Sequence, residues 1–147
     1  MRQSQAQADV IWIGIDIGTQ SVRAMAVSEQ GNVLGTGSHP LSSIRQGSRH
    51  EQGPHQWWEG TVHACQLALS GLPTEAIKGV AVDSTSGTLL LTDRAGRPIT
   101  AGIMYDDARA YEQAEWVNAV GAREIPGFYM QPSWALPKLL WVLREYG

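Results

Sequence analysis

The sequence predicts an α/β fold: a mixed β-sheet opened by three antiparallel strands, joined by a fourth strand parallel to the first, with flanking helices. Three observations carry this. VIWIGIDI (residues 10–17) is a near-continuous, β-branched apolar run, and after only Gly18-Thr19-Gln20 it gives way to the alternating SVRAMAV (residues 21–27). A helix-like segment begins at Pro54. A second apolar run, IKGVAVD (residues 77–83), follows that segment, and a strand reached through a helical crossover lies parallel to its predecessor.

The elements follow in order. Residues 10–17 read as a strand buried on both faces. The short linker at 18–20 folds the second strand back as a hairpin. Glu29-Gln30-Gly31-Asn32 is a turn before a third strand at 33–38. Residues 40–53 read as a polar, Gly- and Ser-rich loop. In the first helix, Trp58, Val62, Cys65 and Leu69 fall on one face, the expected buried stripe, and Gly71 and Pro73 end it. Residues 88–93 and 98–105 flank the turn Arg94-Ala95-Gly96-Arg97 and predict another hairpin. A helix is expected from 108 to about 119. A last helix carries the stripe Leu136, Leu139, Leu140 and Leu143, with Pro137 in its first turn. The β-β-β-α-β order matches the ribonuclease-H-like arrangement.

Composition narrows the function. A chain of 147 residues is one ordinary domain's worth, and at this size about 68–70% of the unfolded surface can be buried. The net charge of −3 and the lack of a basic run argue against nucleic-acid and anionic-membrane partners. The lone Cys65 excludes an internal disulfide or a cysteine metal cluster. No apolar run is long enough to span a bilayer, and residues 1–9 lack the apolar core of a signal peptide, reading instead as a loose tail. A cytoplasmic location is therefore expected. Six tryptophans against one phenylalanine is unusual usage; burial is the commoner role, sugar stacking the rarer.

The stretch GIDIGTQSVRA (residues 14–24) carries the chemistry. Gly14 and Gly18 remove side chains where the backbone turns or a ligand approaches. Thr19, Gln20 and Ser21 offer hydroxyl, amide and backbone donors suited to phosphate oxygens. Asp16 would repel a phosphate directly but suits Mg²⁺, which bridges phosphates. Arg23 adds a cation if its face of the strand points the same way. The other reading is a plain glycine hairpin with Asp16 satisfied by backbone amides.

IGIDIGTQSVRA resembles the first phosphate motif of the actin, sugar-kinase and heat-shock-chaperone ATPase superfamily. Three further segments, in order, resemble the FGGY carbohydrate kinases: EQGPHQWWEG (residues 51–60), GRPITAGIMYDDARA (residues 96–110) and LPKLLWV (residues 136–142). The resemblance implies an actin-like ATPase fold, with ATP and Mg²⁺ as cofactors and a sugar or polyol substrate. It makes Asp16 the metal carboxylate and places Gly18, Thr19, Gln20 and Arg23 at the transferred phosphate. The loop DSTSGT (residues 83–88) falls where the family holds its sugar and looks closest to that of ribulose-type kinases. Ser84, Ser86 and Gly87 would leave room for a polyol; Tyr105 stands where a tryptophan is usual and would wall it; Asp107 of the Asp-x-Arg pair would accept its hydroxyls. A helix-terminal acid with a nearby cation, Arg109, is the structural alternative. Glu51 reads as a cap or surface residue, and His50 and His55 as loop residues.

A complete kinase of this family is well over twice as long. The resemblance therefore implies that residues 10–147 are the N-terminal part of the first kinase domain. The catalytic base, adenosine pocket and second phosphate loop would lie outside it, and this chain alone would not turn over. Uncovered apolar faces would then favour a homo-oligomer. Two other functions fit the residues: a non-catalytic binding module descended from a kinase, and a two-metal nuclease using Asp16, Glu59 and Asp83.

Overall fold

The computed structural model describes residues 10–147; the tail expected at 1–9 lies outside the described residues. In chain order the elements are β1 (Ile11–Ile17), β2 (Ser21–Ser28), β3 (Val33–Pro40), β4 (Ile44–Gln46), β5 (Arg49–Gln52), α1 (Pro54–Ala68), a 3₁₀ turn (Thr74–Ala76), β6 (Ile77–Ser84), β7 (Gly102–Ile103), α2 (Tyr111–Gly121) and α3 (Ala135–Tyr146). They form two compact units. The first comprises residues 10–41 with His55–Ser84, the second Ser42–Pro54 with Thr85–Gly147.

The first unit is the expected mixed sheet, in the order β3-β2-β1-β6. β1 runs antiparallel to β2, from Ile11 opposite Ser28 to Ile17 opposite Val22. It runs parallel to β6, which follows the α1 crossover. The expectation that β1 is buried on both faces is corrected. Ile11 and Ile13 are buried, whereas Trp12, Gly14 and Asp16 are exposed, because α1 covers only the odd-numbered face.

The expected helix stripe is corrected in part: Cys65 and Leu69 pack against the core, whereas Trp58 and Val62 are exposed. Gly60, Ala64 and Ala68 are the buried residues of α1, while Trp58 is 72% exposed. The reason lies in β3. A Cβ on Gly35 would come within 2.2 Å of the Ala68 carbonyl oxygen, and one on Gly37 within 2.0 Å of that of Ala64. Glycine on the strand and alanine on the helix bring the two backbones together, leaving no room there for the larger side chains.

The second unit has a three-stranded sheet, β4-β5-β7. Residues 40–53, expected to be loop, supply its β4–β5 hairpin, turning at Gly47 with φ +59°. His50 and Gln52 are its buried side chains, so the alternation is real but written in polar residues. The hairpin expected from 88 to 105 is reduced to the bridges Leu89–Ile103 and Thr92–Pro98. Asp93 closes its tip by accepting the Ala95 and Arg97 backbone N–H groups. Ile103, Ala110, Trp141 and Val142 form this unit's core. On α3 the expected leucine stripe is exposed at Leu136, Leu139 and Leu143; Pro137, Lys138, Trp141 and Val142 face inward.

Candidate functional site

In the first unit the β-sheet register brings together residues that the sequence singled out. Asp16 sits opposite Arg23 on β2 and beside Asp83 on β6. Residues on one rung project to one face, so a guanidinium and two carboxylates stand in a row. The adjoining turn closes through the Gly18 N–H donating to the Ser21 carbonyl at 3.1 Å. A Cβ on Gly18 would lie 3.2 Å from that oxygen and 3.9 Å from Asp16 Oδ1, a close approach that favours glycine. Asp16, Gly18, Thr19, Gln20, Ser21 and Arg23 line a cavity of about 250 Å³. Asp16 and Arg23 also border a larger one of about 720 Å³, onto which Gly14 opens without any heavy atom near its missing Cβ. The sequence-derived residues Asp16, Gly18, Thr19, Gln20 and Arg23 thus stand together.

Two carboxylates on one rung are hard oxygen donors that fit Mg²⁺, which needs only one or two of them alongside water and phosphate. The nuclease alternative fares differently. Glu59 lies on α1, against the opposite face of the sheet from Asp16 and Asp83. Among the described residues no group of three or more His, Cys, Asp or Glu side chains gathers as a metal site.

The second unit holds a cavity of about 500 Å³ with three walls. Ser86 and Gly87 form one, Tyr105 and Asp106 another, and Gln131, Ser133, Trp134 and Ala135 the third. Gly87 turns the chain at φ +79°. Three expected sugar residues, Ser86, Gly87 and Tyr105, therefore meet at one cavity. Ser84 does not join them: it ends β6 in the first unit, where its N–H donates to Asp83 Oδ1.

Asp107 does not line the cavity either. It is fully buried, and its oxygens accept Arg109 Nε at 2.9 Å, Arg109 Nη2 at 2.7 Å and the His50 backbone N–H at 2.6 Å. Burial alone would raise its carboxyl, but these hydrogen bonds outweigh burial and hold it below the ordinary carboxylate range. Arg109 also binds Glu51 at 2.6 Å and stacks 4.9 Å above the Trp141 ring. The Asp-x-Arg pair is thus buried scaffold, and Glu51, expected at a cap or on the surface, is part of it.

The cavity carboxylate is Asp106, one position earlier. Arg45 Nη2 reaches its Oδ2 at 2.7 Å, and His50 Nδ1 is hydrogen-bonded to its Oδ1. Burial pushes the Asp106 carboxyl up, and these two partners more than reverse that. Lys138 is fully buried, and its Nζ donates to the carbonyls of Gly87 at 2.5 Å and Met104 at 2.9 Å. Burial holds its ammonium below the usual lysine value, against the pull of Asp107 and Asp106. Sequence reasoning missed Asp106, His50, Trp134 and Lys138. The doubled acid at 106–107 signalled a choice of carboxylates, and nothing local signalled that a lysine would be buried.

Residues 11–147 match the N-terminal domain of the FGGY family of carbohydrate kinases. The chain belongs to that family. Its relatives include the xylulose kinase of Klebsiella pneumoniae, 31% identical over 138 residues, and that of Escherichia coli strain K12, 30% identical over 138 residues. Each alignment covers 92% of this chain, and the chain spans 29% and 28%, respectively, of those relatives' lengths. A xyloylose kinase from Brucella ovis superposes with a TM-score of 0.81 at 30% identity, over 91% of this FGGY chain and 29% of that one. A Plasmodium falciparum glycerol kinase, at 17% identity and a TM-score of 0.77, shares the fold.

Proposed function

We propose that this FGGY chain supplies the phosphate-facing hairpin and part of the sugar pocket of an ATP- and Mg²⁺-dependent kinase. It would phosphorylate a hydroxyl of a ketopentose, xylulose or ribulose, in the cytoplasm. The observation that carries the reading is the Arg23–Asp16–Asp83 rung beside the Gly18–Ser21 turn. Asp16, with Asp83 beside it, would hold Mg²⁺; the metal supplies charge neutralisation and a bridge between phosphate oxygens. Thr19, Gln20 and the turn amides would donate to phosphate oxygens, and Arg23 would offset developing charge. In the second unit, Ser86 and Asp106 would pair with sugar hydroxyls while Tyr105 and Trp134 enclose the carbon skeleton. Asp106 takes the role that sequence reasoning gave to Asp107.

In this reading residues 10–147 are the N-terminal part of a first kinase domain, and the chain alone does not turn over. The base that deprotonates the attacking hydroxyl would lie outside residues 10–147. Titration calorimetry of the 147-residue chain with MgATP, D-xylulose and D-ribulose, beside a coupled ADP-release assay, tests this. Saturable sugar binding without turnover is the expected result. A folded chain that takes up neither sugar would remove the substrate reading, and turnover above background would remove the claim of inactivity. Exposed Trp58, Val62, Val80 and Val82 in the first unit favour self-association, which light scattering would detect; a clean monomer would refute it.

A further inference from the structure

The three walls of the second unit's cavity come from separate stretches of chain, and one side chain links them. Lys138 lies one turn into α3 from Trp134, on the wall that α3 begins. Its Nζ donates to the carbonyl of Gly87, next to Ser86, and to that of Met104, next to Tyr105. Below this point the two facing strands are tied by the mutual hydrogen bonds of Leu89 and Ile103, at 3.0 and 2.7 Å. Beyond that rung, Gly87 at φ +79° has no side chain to brace it.

We infer that Lys138 is a positioning residue, a staple that sets the separation of the Ser86–Gly87 and Tyr105–Asp106 lips of the sugar cavity. The chemistry suits the task. Two carbonyls pointing at one buried ammonium need two donors from one atom, and an ammonium carries three. Arginine would bring a planar fork too wide for that spot, and a hydroxyl has one proton to give. One acceptor lies in a lip and the other immediately before the second lip, and both are backbone carbonyls, so the contact fixes main-chain geometry rather than pairing charges. The idea rests on the sugar-cavity reading above for its functional consequence, though not for its geometry.

The test is Lys138→Met in the 147-residue chain, with Lys138→Gln beside it, read by two-dimensional ¹⁵N NMR and D-xylulose titration. The nitrogens of Thr88 and Tyr105 are each bonded to a carbonyl carbon that Lys138 engages. Both should shift in the Met variant while those of Leu89 and Ile103 hold. Sugar affinity should fall by about tenfold or more, and Gln, with two donors on a shorter stem, should lie between. Unmoved Thr88 and Tyr105 nitrogens, or an affinity within about twofold of the parent, would overturn the staple. If the parent itself binds no sugar, the substrate reading falls and the staple stands or falls on the nitrogen shifts alone. If the Met variant does not fold, the Gln variant decides by the same readouts.

Discussion

Arg109→Met separates the scaffold role of the Asp-x-Arg pair from a sugar-binding one. The substitution removes the guanidinium that holds Glu51 at 2.6 Å and both oxygens of Asp107, and that stacks over Trp141. Asp107 is fully buried and would keep only two backbone donors, His50 N–H at 2.6 Å and Arg109 N–H at 3.0 Å. Removing one partner of a buried ion pair costs about 3–5 kcal/mol. The lost cation–π contact adds about 1 kcal/mol, the two remaining N–H donors recover part of the loss, and Met refills some apolar volume. A net loss of about 3 kcal/mol follows, which at this chain length lowers Tm by about 6–12 °C. Urea unfolding followed by tryptophan fluorescence measures it, with buried Trp141 as a local reporter. Asp107→Asn should cost less, because no uncompensated charge is left behind. A change below about 0.5 kcal/mol for Arg109→Met would mean the pair behaves as a solvated surface bridge and would refute the scaffold reasoning.

Other consequences are as direct. Gly37→Ala should destabilise by about 1–3 kcal/mol or more, since its Cβ meets the Ala64 backbone at 2.0 Å; Gly14→Ala, with open space at its Cβ, should leave Tm within about a degree, and equal effects in calorimetry would contradict the helix docking. Asp106 and Asp107 both titrate below the ordinary carboxylate range when folded. Their stabilisation is therefore present above the unfolded value of about 3.9 and is lost as pH falls through the folded values; stability in acid should drop less steeply in Asp107→Asn, and parallel curves would count against it. Asp16→Asn should remove Mg²⁺ binding in calorimetry with MgCl₂ alone while leaving Tm nearly unchanged, because Asp16 is exposed; Mg²⁺ binding equal to the parent's would refute its metal role.

The first unit was largely legible in the sequence because its signals are local. Strand period, turn residues and the crossover pointed to β1, β2, β3 and β6 and to the hairpin between the first two, while the register is supplied by the structure. What misled there was the rule that large apolar residues face inward. In α1 the inward face is Gly60, Ala64 and Ala68, because Gly35 and Gly37 on β3 draw the backbones together. That is a property of the pair of elements, and neither shows it alone. The second unit was less legible because its core is partly ionic. His50, Gln52, Asp107 and Lys138 occupy buried positions that periodicity assigns to apolar residues. The leucine stripe on α3 is therefore mostly exposed, and the face that carries Lys138 is the buried one.

That ionic interior has a physical meaning. A buried ion pair is on average no more stable than well-packed hydrophobic residues of the same volume, so stability does not explain Asp107–Arg109–Glu51 or the isolated ammonium of Lys138. Such groups impose direction, which apolar packing does not. Asp107 fixes the His50 backbone through its N–H, His50 in turn holds Asp106, and Lys138 fixes the carbonyls beside Ser86 and Tyr105. The His50 and Lys138 contacts end on Asp106 and Gly87, which border the same 500 Å³ cavity, and on Met104, which precedes Tyr105. Phosphoryl transfer asks for little beyond positioning and electrostatics, and an error of about 1 Å in placing the reacting hydroxyl can cost about a hundredfold in rate. Under the proposed sugar-kinase reading, an interior that gives up packing stability for fixed directions around that cavity would answer that demand.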